Sequence, residues 1–255
     1  DLVLTSAAAI TDTDGNSALT ADDFSFTAAT TIGSAANRIN TTVAEILLGN
    51  STGTGDIYLN ESNALILTNV INADGLIDIL AGGQITAVSV TTTGGANSDD
   101  IALETTAGDI EIDTVSATPD GDVELTSAAA ITDTDGNSVV IADDLSFTAA
   151  AAVGSAANRI NTSVAELLSG TSTGTGDIYL NETDAITLTG VSNPDGLIDI
   201  TAGGLMTAVN VTTTGGTDTD DILLTTSAGD IEIDTVSATP AGDVNMTRAA
   251  SITDT

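Results

Sequence analysis

Two five-residue runs hold the side chains of this sequence best suited to chemistry. They are Asp12-Thr13-Asp14-Gly15-Asn16 and its repeat Asp133-Thr134-Asp135-Gly136-Asn137. Oxygen ligands at alternate positions followed by glycine match the opening of a calcium loop, in which positions one, three and five ligate and Gly permits the sharp turn. Asp12, Asp14 and Asn16, with Asp133, Asp135 and Asn137, are therefore candidate calcium ligands. The distal bidentate Glu of an EF-hand is missing, which excludes a complete EF-hand. The same composition also suits a plain β-turn, because Asp, Asn and Gly are turn formers in their own right. Both readings stand on the sequence.

Catalytic chemistry is poorly supplied. The chain has no His, no Cys and no Lys, and three Arg. A serine nucleophile would lack its usual base, and neither a thiolate, a Schiff base nor a soft-metal site can be built. Paired carboxylates could still hydrolyse glycosides, but the acidic residues here recur with the repeat and do not converge once. The expectation is a protein that is not an enzyme. Arg38 and Arg159 occupy equivalent places in Asn-Arg-Ile-Asn. Either they pair with a carboxylate of a neighbouring coil or chain, or they are solvated turn residues.

The elements that carry these residues follow from an internal repeat, the feature to seek first in any sequence. Residues 1–121 recur as 122–242, and a third copy starts at Asp243 and runs to Thr255. About 31 of the 121 positions differ between the two full copies. Within each copy, short apolar alternations begin at Leu2, Phe24, Ile57, Ile77, Ile101 and Val123, at spacings of 22, 33, 20, 24 and 22 residues. An extra pair at Ile46/Leu48 falls inside the long step and suggests a distorted coil or an insertion there. Alternation of period two is the strand signal, and the intervening Asn, Asp and Gly clusters are turn signals. No segment carries a sustained helical stripe.

A unit of about 20 residues with two or three short strands has the size of one solenoid coil, which buries its apolar face only when the next coil stacks about 4.8 Å along the axis. The expected fold is all-β, a parallel β-helix (β-solenoid) of coils of about 20 residues, running through 1–121, 122–242 and the start of a third repeat at 243–255 as one continuous rod. Ile, Val, Leu and Ala point inward with Phe26 and Phe147 at matching positions; Thr, Ser, Asn and Asp point outward. A string of immunoglobulin-like sandwiches is the competing architecture, disfavoured because a sandwich has no cause to repeat one short motif within a domain and normally uses larger aromatics.

Charge sets the environment. With 37 acidic residues against three basic ones the formal charge is −34, yet 41% of residues are hydrophobic, enough to fold. Such a balance opposes nucleic acid and anionic lipid and favours cations or cationic surfaces. No apolar run is long enough to span a bilayer, so no membrane insertion is expected. No signal peptide is visible, and a targeting segment is expected outside this stretch. Acidic residues precede many strands, and carboxylates stacked in register at about 4.8 Å would each repel by about 0.9 kcal/mol in water. That is a second reason to expect calcium.

Units such as GDIYLNESNALILTNV and GLIDILAGGQITAVSVTTTGG resemble the repetitive stalks of giant bacterial adhesins, the filamentous-haemagglutinin-like exoproteins of two-partner secretion. GSAANRIN resembles a recurrent insertion in those stalks, often written with Pro where this chain has Arg38 and Arg159. The resemblance implies a right-handed parallel β-helix at the bacterial cell surface or outside the cell. It would be a structural stalk or fibre segment whose partners are neighbouring repeats, other copies in a filament, and a host or surface receptor. Two alternatives accompany it: a surface module binding a glycan, mineral or ion, and a self-assembling filament subunit bridged by calcium. Because the differences between copies are scattered along the sequence, the stalk is mildly favoured.

Overall fold

A computed structural model of the chain describes residues 1–254. Among them are 29 short strands and no helix, so no helix is long and apolar enough to cross a membrane. The strands pair in parallel, as in Leu2–Ser6 on Asp23–Ala28 and Ile57–Glu61 on Ile77–Ala81. The fold is the expected parallel β-solenoid. It divides into two compact units, residues 1–128 with 141–143, and residues 129–140 with 144–255.

In the first unit a typical coil runs through three strands, Leu65–Leu67, Val70–Asp74 and Ile77–Ala81, each stacked on its counterpart one coil later. Side chains alternate strictly in and out, as a strand dictates. The inward column Ile57, Ile77, Ile101, Val123 is in register from coil to coil and at most 1% exposed. Each fully buried aliphatic side chain stabilises by about 1.5–3 kcal/mol relative to exposure. The second unit repeats this with Ile178, Ile198 and Ile222, all fully buried.

The 33-residue step hides no insertion. Leu2, Phe24, Ile46, Leu67, Ala87 and Ile112 follow one another in register down one sheet. Ile57, Ile77, Ile101 and Val123 run down the other. The extra pair at Ile46 is thus a regular rung, and the chain crosses to the opposite sheet between Ile46 and Ile57. Leu2–Ser6 and Val123–Ser127 are equivalent in sequence, yet they lie in different sheets of the same unit. One 121-residue repeat is therefore five and a half turns, with coils of 20–25 residues.

What the sequence reads as distortion at Ile46/Leu48 is a single β-bulge. Phe24 faces Ile46 but Ser25 faces Leu48, so Leu47 is the extra residue, and both Leu47 and Leu48 end up outward. The bulge turns Gly49 inward beneath Phe26, where a Cβ would sit 2.6 Å from the ring. Gly170 and Phe147 repeat the arrangement at 2.7 Å. A glycine is required there because the aromatic ring fills the space a side chain would need.

Acidic stacking is short. Asp100 and Asp122 are neighbours across coils, but the corresponding place one coil earlier is Leu76. The Asp122 N–H donates to Asp100 Oδ1 at 2.9 Å, and Asp243 does the same to Asp221 at 2.7 Å. A donor between the two groups offsets the repulsion that bare stacking would produce.

Candidate functional site

In the first unit, Asp12, Asp14 and Asn16 share one turn, and the Asp12 carboxylate faces into it. Its Oδ1 accepts the N–H groups of Asp14 (3.2 Å) and Gly15 (2.9 Å), and its Oδ2 accepts that of Ser17 (2.8 Å). The Ser17 N–H foremost holds the Asp12 carboxyl far below its ordinary value. In the second unit Asp133 accepts from Gly136 (2.6 Å), Asn137 (3.2 Å) and Ser138 (2.9 Å). Burial pushes its carboxyl up, but the hydrogen bonds from Ser138, Gly136 and Asn137 outweigh this and leave it lowered. Asp135 and Asn137 bond to each other, Nδ2 to Oδ2 at 2.8 Å. Thus each triplet is brought together, with its first carboxylate ordering the backbone. Among the described residues no group of three or more His, Cys, Asp or Glu is placed to hold a metal ion.

A turn ordered by N–H donation needs no cation. Asp133, 4% exposed, is the more informative probe. Asp133→Ala orphans three N–H groups and should destabilise the fold by about 1–3 kcal/mol. The loss in urea midpoint should be equal in calcium and in chelator if the carboxylate serves the backbone; a loss confined to calcium would make Asp133 a calcium ligand.

The next coil lays the loop Ser34–Asn37 beside this turn. It is closed by reciprocal backbone bonds, Ser34 N–H to Asn37 O at 3.0 Å and Asn37 N–H to Ser34 O at 3.1 Å. Gly33 opens the loop at φ +69°, and any Cβ there would lie 2.6 Å from the Tyr58 carbonyl. The Asn40 N–H donates to Ser17 Oγ (2.8 Å) and its side chain to the Gly15 carbonyl (3.2 Å). One coil further on, Asn60 Nδ2 donates to Asn40 Oδ1 at 2.7 Å; Asn181 and Asn161 repeat the bond at 2.8 Å.

Arg38 joins three coils. Its guanidinium forks onto Asp78, Nη1 to Oδ1 at 2.9 Å and Nη2 to Oδ2 at 2.6 Å, and Nη1 also reaches the Leu59 carbonyl at 3.3 Å. The group lies 5.7 Å from the centre of the Tyr58 ring. Arg159 binds Asp199 at 2.5 Å and Leu180 O at 3.2 Å, 5.5 Å from the Tyr179 ring. Of the two readings of these arginines, pairing with a neighbouring coil is the one observed. A planar fork meeting a carboxylate bidentately suits arginine and not lysine. Burial first, then the Asp56 carboxylate that accepts its O–H, pushes the Tyr58 phenol up.

Beneath this surface lies a group that sequence reasoning missed. Glu61 is 1% exposed and Glu182 2%. Glu61 Oε2 accepts from Thr41 Oγ1 (2.7 Å) and the Val43 N–H (3.0 Å), and Oε1 from the Asn63 N–H (3.0 Å). Glu182 makes the same bonds to Thr162, Val164 and Asp184. A signal was present: Asn40 to Asn60 and Thr41 to Glu61 are each 20 residues apart, one coil, and Arg38 to Asp78 is 40, two coils.

Comparison with protein-family models, with curated proteins and with solved structures finds no match to this chain. The site therefore speaks through its own chemistry. It is a row of neutral amides beside a capped arginine, on a stack of coils. The acidic turn at its margin has its first carboxylate already committed to the backbone.

Proposed function

We propose that the chain is a structural stalk segment of an adhesin-like repeat protein that acts outside the cell or at the bacterial cell surface. The observation that carries this reading is the coil-to-coil register. The same inward columns and parallel ladders recur at every rung, so repetition of coils sets length, and each coil is held chiefly by its neighbours. The Arg38 fork, which reaches two coils along, stiffens the stack against bending. A formal charge of −34 keeps such a stalk soluble and apart from anionic surfaces. Its partners are further repeats of the same kind and whatever receptor the complete molecule engages. The resemblance of GDIYLNESNALILTNV to adhesin stalks supports the same assignment.

The test is accessibility on intact producing cells. Antiserum raised against this chain should label unpermeabilised cells, and brief proteinase K treatment should remove the label. Labelling that appears only after lysis would sink the stalk assignment.

A further inference from the structure

The two copies differ at about 31 of 121 positions, and in sequence those differences look scattered. In the fold they are not. Four runs are the longest identical ones: residues 4–17, 33–41, 51–61 and 107–119 with their counterparts. The last forms Ile110–Ile112 and Thr114–Ala117, in the other sheet from Ile57–Glu61. The first three, joined by the identical Asp74–Ile79, meet on one surface of the first unit. The 12–17 turn is hydrogen-bonded to Asn40 and Asn40 to Asn60, with the 34–37 loop and the Arg38–Asp78 fork immediately before Asn40 in the chain. The second unit repeats the Ser138–Asn161 bond, the Asn161–Asn181 pair and the Arg159–Asp199 ion pair.

Packing explains the buried members of this surface but not all of it. Ser34 and Ser155 are kept by the loop they close, their Oγ accepting the N–H of Asn37 (3.1 Å) and Asn158 (3.0 Å), but Ala35 and Ala36 are exposed, as are Ala156 and Ala157, and they are unchanged. Exposed positions are where substitutions are least costly, and nearby outward positions have indeed changed: Leu80 to Thr201, Ala102 to Leu223, Glu104 to Thr225. In the second unit this surface contains a shallow pocket of about 180 Å³ between Ala156, Ala157 and the polar groups of Asn158, Arg159, Asn161 and Asn181. No carboxylate lines it, in a chain with 37 acidic residues.

We propose that this repeated surface, Ala35–Asn40 with Asn60 and Ala156–Asn161 with Asn181, binds an uncharged glycan, one hexose ring to each unit. Amides present a donor and an acceptor side by side, the match for vicinal hydroxyls. The Arg159 charge is consumed by Asp199, so no free cation is left to select an anionic sugar. The surrounding field repels anions further. In the second unit the exposed methyls of Ala156 and Ala157 border the pocket beside the amide row, an apolar edge next to donors and acceptors. This goes beyond the stalk reading and does not depend on it.

Affinity electrophoresis of the full chain through gels containing dextran, mannan, galactan or starch, with alginate and heparin as charged controls, tests the proposal. At least one neutral polymer should retard the protein. Ala36→Trp with Ala157→Trp fills both sites without removing a hydrogen bond and should weaken the retardation tenfold or more, with an unchanged circular-dichroism melt. If that pair melts differently, Ala35→Trp with Ala156→Trp serves the same purpose. No retardation by any neutral polymer, retardation by the charged ones alone, or retardation untouched by the folded tryptophan variants would each overturn it. Cell-surface labelling is read separately, so failure here leaves the stalk assignment intact.

Discussion

Phe26→Ala is expected to lower the unfolding free energy by about 3–5 kcal/mol, the range for deleting a fully buried aromatic ring. The ring is 1% exposed, packs against Phe24 at 5.3 Å between centroids, and lies directly over Gly49. With glycine beneath it, no neighbouring side chain can swing in to fill the void, which places the loss at the upper end of the range. Phe147→Ala, over Gly170, should behave alike. Phe24→Leu is the control. The second copy already carries Leu145 at that place, 2% exposed, so the exchange should cost less than about 1.5 kcal/mol. Urea midpoints at constant slope decide the matter. A Phe26→Ala loss no larger than that of Phe24→Leu would mean that the Phe26–Gly49 contact does not hold the bulged coil together.

Glu182 governs the second large effect. Glu182→Ala removes the acceptor for the Thr162 hydroxyl and the buried Val164 N–H, a loss on the order of 2–4 kcal/mol. Glu182→Gln keeps an oxygen there and should lose less. The two variants also differ in their response to acid. Burial pushes the Glu182 carboxyl above its ordinary value of 4.5, against the opposing pull of the Asp184, Thr162 and Val164 donors. A group raised in the folded state stabilises most fully below its unfolded value, and that contribution is lost as pH rises through the folded value. Stability of the parent chain should therefore decline from about pH 4.5 towards neutrality by an amount that Glu182→Gln abolishes. Asp12 and Asp133 are lowered and act in the opposite sense. Their contribution is complete above about pH 4 and is lost as pH falls below it. Parallel urea titrations of both chains between pH 4 and 7 read the difference. Identical slopes would show that Glu182 is not the group responsible.

Composition and period determined much of this protein. Alternation at Ile57/Leu59 or Ile77/Ile79, separated by Gly, Asn and Asp clusters, is a local property, and local sterics convert it directly into strands and turns. The coil length follows from the spacing of those alternations, and the turn at Asp12 from the hydrogen-bonding reach of an Asp side chain over the next few residues. The calcium reading drew on the same residues. What the structure adds is that the first carboxylate of each turn accepts N–H groups of its own backbone, a matter of a few dihedral angles that composition does not show.

Only the tertiary structure decided which coils meet which. Small differences in coil length, 20 residues in one place and 24 or 25 in another, accumulate along the stack, so register is a running sum that no single motif reveals. That sum makes a long repeat five and a half turns, turns the apparent insertion at Ile46 into an ordinary rung, and carries Arg38 to Asp78 two coils away. It also buries Glu61 and Glu182, acidic residues that composition would place in solvent, because donors from the preceding coil arrive where their carboxylates point. Strand formation is governed by neighbours in the chain. Charge pairing, burial and the gathering of three identical runs onto one surface are governed by neighbours in space, which stacking alone supplies.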